Sequence, residues 1–90
     1  MRIDKFLKLS RLVKRRTLAA EMVEIGAVRL NGKKVKPAAE VKVGDDIEIA
    51  FPRRVLSVSA TCVDERMLKR GTPAAEVAGE RRIDEEEQPW

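Results

Sequence analysis

The spacing of apolar residues changes period at Gly26, and that change limits the fold more than any other feature. Before it, apolar residues recur every three or four positions; after it they alternate. A chain that moves from a period near 3.6 to a period of 2 builds helices first and a sheet second, an α+β architecture. Residues 2–9 read as a helix: Ile3, Phe6, Leu7 and the following Ser10 share one arc of a helical wheel, and Arg2, Lys5 and Lys8 fall opposite. Residues 10–16 (Ser-Arg-Leu-Val-Lys-Arg-Arg) form a basic connector. A second helix is expected over residues 17–25. Leu18, Met22 and Ile25 mark its core stripe, widened by Ala19 and Val23, with Glu21 and Glu24 on the other side. Gly26 closes it, since a positive φ costs glycine little.

Past Gly26, Val28 and Leu30 flank Arg29, and Asn31-Gly32 is a strong type I′ hairpin signal. Lys33-Lys34-Val35-Lys36 reads as the return strand. Gly44-Asp45 makes a turn, and Ile47, Ile49 and Phe51 alternate with polar or small residues in a half-buried strand. Pro52 breaks it, and Leu56, Val58 and Ala60 mark a last strand to about Cys62. Thr72-Pro73 suits a helix start, so a short helix is expected over residues 74–78, stopped by Gly79. Residues 80–90 are highly charged, acidic over 84–87, and expected to be mobile. The expectation is two helices packed on a small, mostly antiparallel sheet of about four strands. One domain covers residues 1–66, and a C-terminal tail covers 67–90.

Charge is segregated along the 90-residue chain. Residues 1–36 hold eleven Lys/Arg against three Asp/Glu, a net of +8; residues 37–66 and 67–90 each carry a net of −2. Such clustering is the electrostatic footprint of a polyanionic partner. Lys14, Arg15 and Arg16 stand near the start of the second helix, where cations oppose the helix dipole. A positive cluster at a positive helix end suggests that an external anion offsets it.

Catalytic chemistry is poorly provided for. The chain has no His and no Tyr, so the commonest general base is absent. Cys62 is the only cysteine. It has no His partner for a nucleophilic dyad and no partner for a disulfide, and it reads as a small core residue. No glycine-rich phosphate loop or metal-ligand spacing is evident. The residues therefore exclude an enzyme reading and imply no cofactor and no metal. The lone cysteine fits a reducing, cytoplasmic compartment. The charged N-terminus is no signal peptide, and no run of about 18 apolar residues predicts a membrane span.

Arg2-Ile3-Asp4-Lys5-Phe6-Leu7, then Ser10-Arg11, Ala19/Ala20 to Gly26, Val28-Arg29-Leu30-Asn31-Gly32, and Gly44-Asp45 before Ile47 occur in a specific order and spacing. Together they resemble the S-four-type RNA-binding domain, the alpha-L RNA-binding motif, over residues 1 to about 51. The string over residues 2–19 resembles, more narrowly, the RqcP group of small bacterial ribosome-quality-control proteins. The resemblance implies two helices in an L whose basic faces meet RNA. It also implies binding to large ribosomal subunits obstructed by peptidyl-tRNA, with contacts to large-subunit ribosomal RNA and to the tRNA. Support of C-terminal alanine tailing with an RqcH-type tailing factor is implied as well. The ribosome-associated heat-shock proteins are related, but resemble a longer chain with a strongly basic extension. The short, net acidic tail here departs from that pattern.

The candidate RNA-binding residues are Arg2, Lys5, Lys8, Arg11, Lys14, Arg15 and Arg16, with Arg2 and Arg16 foremost. Arg grips phosphate through two donors at once, whereas Lys acts as a point charge. Lys33 and Lys34 are further candidates, balanced between RNA contact and a solvated strand. Asn31 and Gly32 build the turn, with RNA contact by Asn31 a lesser alternative, and Phe6 belongs to the core. Few aromatics leave little scope for base stacking, so recognition by shape and phosphate position is expected. Asp4 stands beside the cationic arc. It is either a local salt-bridge partner or N-terminal helix charge, or a carboxylate that orients Arg2 or a neighbouring Lys for RNA; the sequence leaves both open. A monomer is expected. Two rival readings are a heat-shock-type recycling or assembly factor that binds ribosomal RNA, and a protein-interaction module that does not bind RNA.

Overall fold

The computed structural model describes residues 1–84 and 86–90. Helix α1 spans Ile3–Leu9 and α2 spans Arg16–Glu24. Strands β1 (Val28–Leu30), β2 (Lys33–Lys34), β3 (Asp46–Phe51) and β4 (Arg54–Ala60) follow, then helix α3 (Glu65–Lys69) and strand β5 (Ala75–Arg82). The strands form one antiparallel sheet in the order β2-β1-β3-β4-β5.

Alternation places the core. Val28, Ile49 and Leu56 stand in one cross-strand row, and Leu30, Ile47 and Val58 in the next. These rows form one apolar cluster with Ile3, Phe6 and Leu7 of α1 and Ala19 and Val23 of α2. The outward residues between them include Arg29 opposite Glu48, an opposite-charge pair suited to a solvated face. The N-terminus is tied down by the amide of Ile3, which donates to the Ala39 carbonyl at 2.8 Å, and that of Val41, which donates to the Met1 carbonyl at 2.8 Å.

The hairpin turn at Asn31-Gly32 and the turn after α1 both use positive φ. Asn31 (51°) and Gly32 (79°) make the expected type I′ hairpin turn. The Asn31 amide also stitches it to the next turn: Nδ2 donates to Asp45 Oδ1 at 3.2 Å, and Oδ1 accepts from the Asp46 amide at 2.9 Å. Arg11 (65°) takes the left-handed position after α1 that glycine usually fills. Its amide donates to the Lys8 carbonyl at 3.1 Å.

Four features depart from expectation. The helix expected over residues 74–78 is instead the start of β5. Ala-Ala-Glu-Val-Ala has helical propensity, but the free edge of β4 offers a ladder from Arg54↔Arg82 to Ala60↔Ala75, and tertiary pairing overrides local preference. The sheet therefore has five strands, where about four were expected. Helix α3 was not foreseen, although Asp64 is a legible N-cap, its side chain accepting from the Met67 amide at 3.1 Å. The third departure concerns the stripe of α2. Ala19 and Val23 are fully buried, while Leu18 (45 % exposed), Ile25 (77 %) and half-buried Met22 line a surface groove with Leu12, Phe51 and Pro52. Finally, residues 80–82, expected to be mobile, belong to β5. Beyond them Trp90 packs back: its indole donates to the Gly26 carbonyl at 3.1 Å, and the Arg29 guanidinium lies 4.9 Å from its ring centre. Glu85, within the acidic run expected over 84–87, lies outside the described residues.

Candidate nucleic-acid interface

The basic arc of α1 and the start of α2 meet around one buried carboxylate. Asp4, in the first turn of α1, is the one buried charged side chain among the described residues. Its Oδ1 accepts from Arg2 Nε at 3.2 Å and from the Lys5 amide at 2.7 Å; its Oδ2 accepts from Arg2 Nη2 at 3.1 Å. Arg16 Nη2, at the first position of α2, stands 3.6 Å from Oδ1. Both arginine side chains are about half exposed. Asp4 therefore does more than form a local surface pair. It bridges two helices and holds two guanidiniums that the sequence places fourteen residues apart. Because Arg2 grips the carboxylate through Nε and Nη2, the opposite edge of its planar guanidinium is turned away, ready for a second acceptor.

Arg2, Lys5 and Arg16 line a cavity of about 360 Å³ together with Met1, Val63 and Glu65. Lys5 is ion-paired to Glu65, which also takes Lys69 at 3.3 Å. The hydrogen bonds from Lys5, first, and then from Lys69 hold the Glu65 carboxyl below the usual carboxylate range, against a smaller opposing effect of desolvation. Glu65 was missed by sequence reasoning because it belongs to α3, sixty residues from Lys5. The only available signal was the Asp64-Glu65 helix start.

Helix α2 begins without a side-chain cap: Arg15 is its N-cap residue, and its first turn has no acidic residue. Its first amides and the flanking arginines thus present positive charge together. Lys8, Arg11, Lys14 and Arg15 are all exposed on α1 or the connector. Holding Arg rather than Gly at the left-handed position costs about 1–2 kcal/mol. That directs attention to the exposed Arg11 side chain as the reason for the choice.

Lys33 and Lys34 are exposed on edge strand β2. The Lys34 stem runs beside Gly26, within about 3.5 Å of where a Cβ would stand there. Gly26 lies ten residues beyond Arg16, about 15 Å along a helix. The structure therefore puts these two lysines at the far end of α2 from the Asp4 cluster. Lysine on an edge strand also discourages sheet-to-sheet association.

Cys62 is buried, and the described residues contain no group of three or more His, Cys, Asp or Glu placed to hold a metal. No helix among the described residues is long and apolar enough to cross a membrane. What the site offers is several cations held at set positions, which suits phosphate recognition.

Residues 1–47 match the family model described as the S4 domain. The RQC P-site tRNA stabilizing factor of Listeria innocua is 40 % identical over 86 residues, covering 94 % of each chain. The factor of the same name from Halalkalibacterium halodurans is 48 % identical over 69 residues, covering 77 % of this chain and 78 % of the relative. Among solved structures, the trimeric Heat Shock Protein 15 of Vibrio cholerae superposes with a TM-score of 0.77 at 28 % identity, covering 87 % of this chain and 81 % of that one.

Proposed function

Because the chain belongs to the S4-domain family and to its group of RQC P-site tRNA stabilizing factors, we propose that it binds structured ribosomal RNA and tRNA on obstructed large ribosomal subunits. There it supports quality control, including alanine tailing of the stalled chain with an RqcH-type tailing factor. It acts as a non-enzymatic, cytoplasmic, monomeric binding protein. The observation that carries this reading is the Asp4 cluster, which fixes Arg2 and Arg16 beside Lys5 on one surface. Residues 1–66 form the RNA-binding unit and include the start of α3, and 67–90 supply the rest of α3, the covering strand and the returning end. Arg2, Lys5 and Arg16 form the centre of the contact, and Lys8, Arg11, Lys14 and Arg15 extend it along the phosphates. Lys33 and Lys34 form an outlying contact.

Recognition on this reading is by shape and phosphate spacing, because A-form RNA has a deep, narrow major groove that side chains barely enter. Binding should weaken steeply and linearly in log affinity against log salt. The test is recovery of RNA on the tagged protein from cells, alongside Arg16→Ala. Large-subunit ribosomal RNA with peptidyl-tRNA supports the proposal, as does loss of both in the variant. Recovery of messenger or small-subunit RNA alone overturns it.

The likeness to Heat Shock Protein 15 favours a second reading, a heat-shock-type recycling factor. Against it, residues 67–90 carry a net charge of −2 instead of a basic extension.

A further inference from the structure

The cavity at the centre of the basic face already holds a carboxylate. Glu65 lines it with Arg2, Lys5 and Arg16, and pairs with Lys5. It comes from α3, beyond the segment matched to the S4 domain. We infer that Glu65 is an internal stand-in for an RNA phosphate: it occupies Lys5 in the free protein and yields Lys5 when a backbone phosphate enters between Arg2, Lys5 and Arg16. This rests on the RNA-binding reading above and assigns that site a residue that sets its selectivity.

The two carboxylates of the site differ in what they can do. Asp4 has a side chain only 5 % exposed, accepts from Arg2 and from a backbone amide, and is short. It is a fixed support. Glu65 is 39 % exposed, sits on a longer side chain, and among the described residues is held to the site by the ammonium groups of Lys5 and Lys69. Ammonium pairs are point-charge contacts that exchange readily, unlike bidentate guanidinium pairs. Lys69 lies one helical turn from Glu65 on the same helix. When Lys5 passes to a phosphate, Glu65 keeps Lys69, so the exchange strands no charge. The cap from Asp64 to the Met67 amide keeps the start of α3 in place throughout. Glu65 is an anion at neutral pH, as an ordinary glutamate is there, and its pairs with Lys5 and Lys69 only lower its proton affinity further, so it competes with phosphate for Lys5.

The consequence is a threshold. A phosphate that reaches only Lys5 must compete with a carboxylate already there. A phosphate presented by a folded RNA also meets Arg2 and Arg16 and displaces it. Glu65 would thus penalise flexible single strands more than structured RNA.

The test compares wild type and Glu65→Gln in the full chain. The probes are a labelled large-subunit ribosomal RNA stem-loop and a single-stranded oligonucleotide of equal length, titrated at several salt concentrations. Glu65→Gln should bind both RNAs about two- to five-fold tighter at low salt, the size of an exposed ion pair. The gain should be larger for the single strand, and it should vanish in a Lys5→Gln background. Glu65→Asp, which keeps the charge but shortens the reach, should show part of the gain with an unchanged melting temperature. Unchanged or weaker binding by Glu65→Gln, while Arg16→Ala still weakens binding, overturns the exchange and leaves the RNA reading intact. If Arg16→Ala also binds normally, the RNA reading itself fails.

Discussion

Asp4→Asn separates an organising role for the buried carboxylate from a merely opposing charge, because the two predict opposite signs. If Asp4 only subtracted positive charge from the face, its neutralisation would tighten RNA binding. For a phosphate about 6 Å away at a solvent-like dielectric, the relieved repulsion is about 0.7 kcal/mol, roughly threefold. The structure predicts the reverse. In Asp4→Asn, one amide end would face an Arg2 nitrogen donor to donor, replacing the 3.1 or 3.2 Å contact. Arg16 would lose the anion 3.6 Å away. Re-ordering a freed long side chain on binding costs about 0.5–1.5 kcal/mol each, so two arginines cost about 1–3 kcal/mol. Set against the relieved repulsion, the net is binding weaker by roughly twofold to fiftyfold. The fold should also lose about 1–3 kcal/mol, the range for a lost charge-assisted hydrogen bond at a buried group. Fluorescence anisotropy with a labelled ribosomal RNA stem-loop, run beside thermal melting, measures both. Tighter binding by a folded Asp4→Asn protein would refute the organising role.

Three further outcomes follow from other positions. Arg11→Gly should leave stability unchanged or raise it by up to about 1 kcal/mol, since glycine relieves the positive φ. It should nonetheless weaken RNA binding and lower the salt slope by about one phosphate contact; an unchanged slope would mean that Arg11 does not touch RNA. Asn31→Ala removes a residue suited to φ 51° and two hydrogen bonds to the 45–46 turn. A loss of about 1–3 kcal/mol in denaturant unfolding is expected, and no loss would show that the hairpin turn is not a stability determinant. The Asp45 carboxyl is held below its ordinary range by the Lys42 amide, first, and then by the Asn31 side chain. A carboxylate lowered in the folded state contributes stability that is complete above its unfolded value and is lost as pH falls through the folded one. Stability should therefore drop below about pH 4, and Asp45→Asn should shrink that acid-side drop. An equal drop in the variant would assign it to other groups.

Much of the site was legible along the chain, but its construction was not. The face of α1 follows directly from the spacing of Ile3, Phe6 and Leu7 against Arg2, Lys5 and Lys8, because a helix maps sequence spacing onto direction. For α2 the same reasoning found a helix and placed its apolar stripe about one residue off. Leu18, Met22 and Ile25 and the neighbouring pair Ala19 and Val23 both suit a buried face. The rotation was settled by packing against α1 and the sheet, which drew in the small residues and left Leu18 and Ile25 at the groove. Residues 74–78 were misread as a helix because propensity is local, while the unpaired edge of β4 is not.

Composition and short-range spacing were enough for the α+β class, the hairpin at Asn31-Gly32, the concentration of positive charge before residue 37 and the lack of a histidine or tyrosine for catalysis. All of these are properties of composition or of neighbours a few residues apart. Packing in three dimensions is what makes Asp4 join Arg2 to Arg16, brings Glu65 of α3 to Lys5, and lets the chain after residue 74 complete the sheet. Each of these pairs charges or strands from distant parts of the chain. Such pairings depend on how elements pack in space, which no local period records.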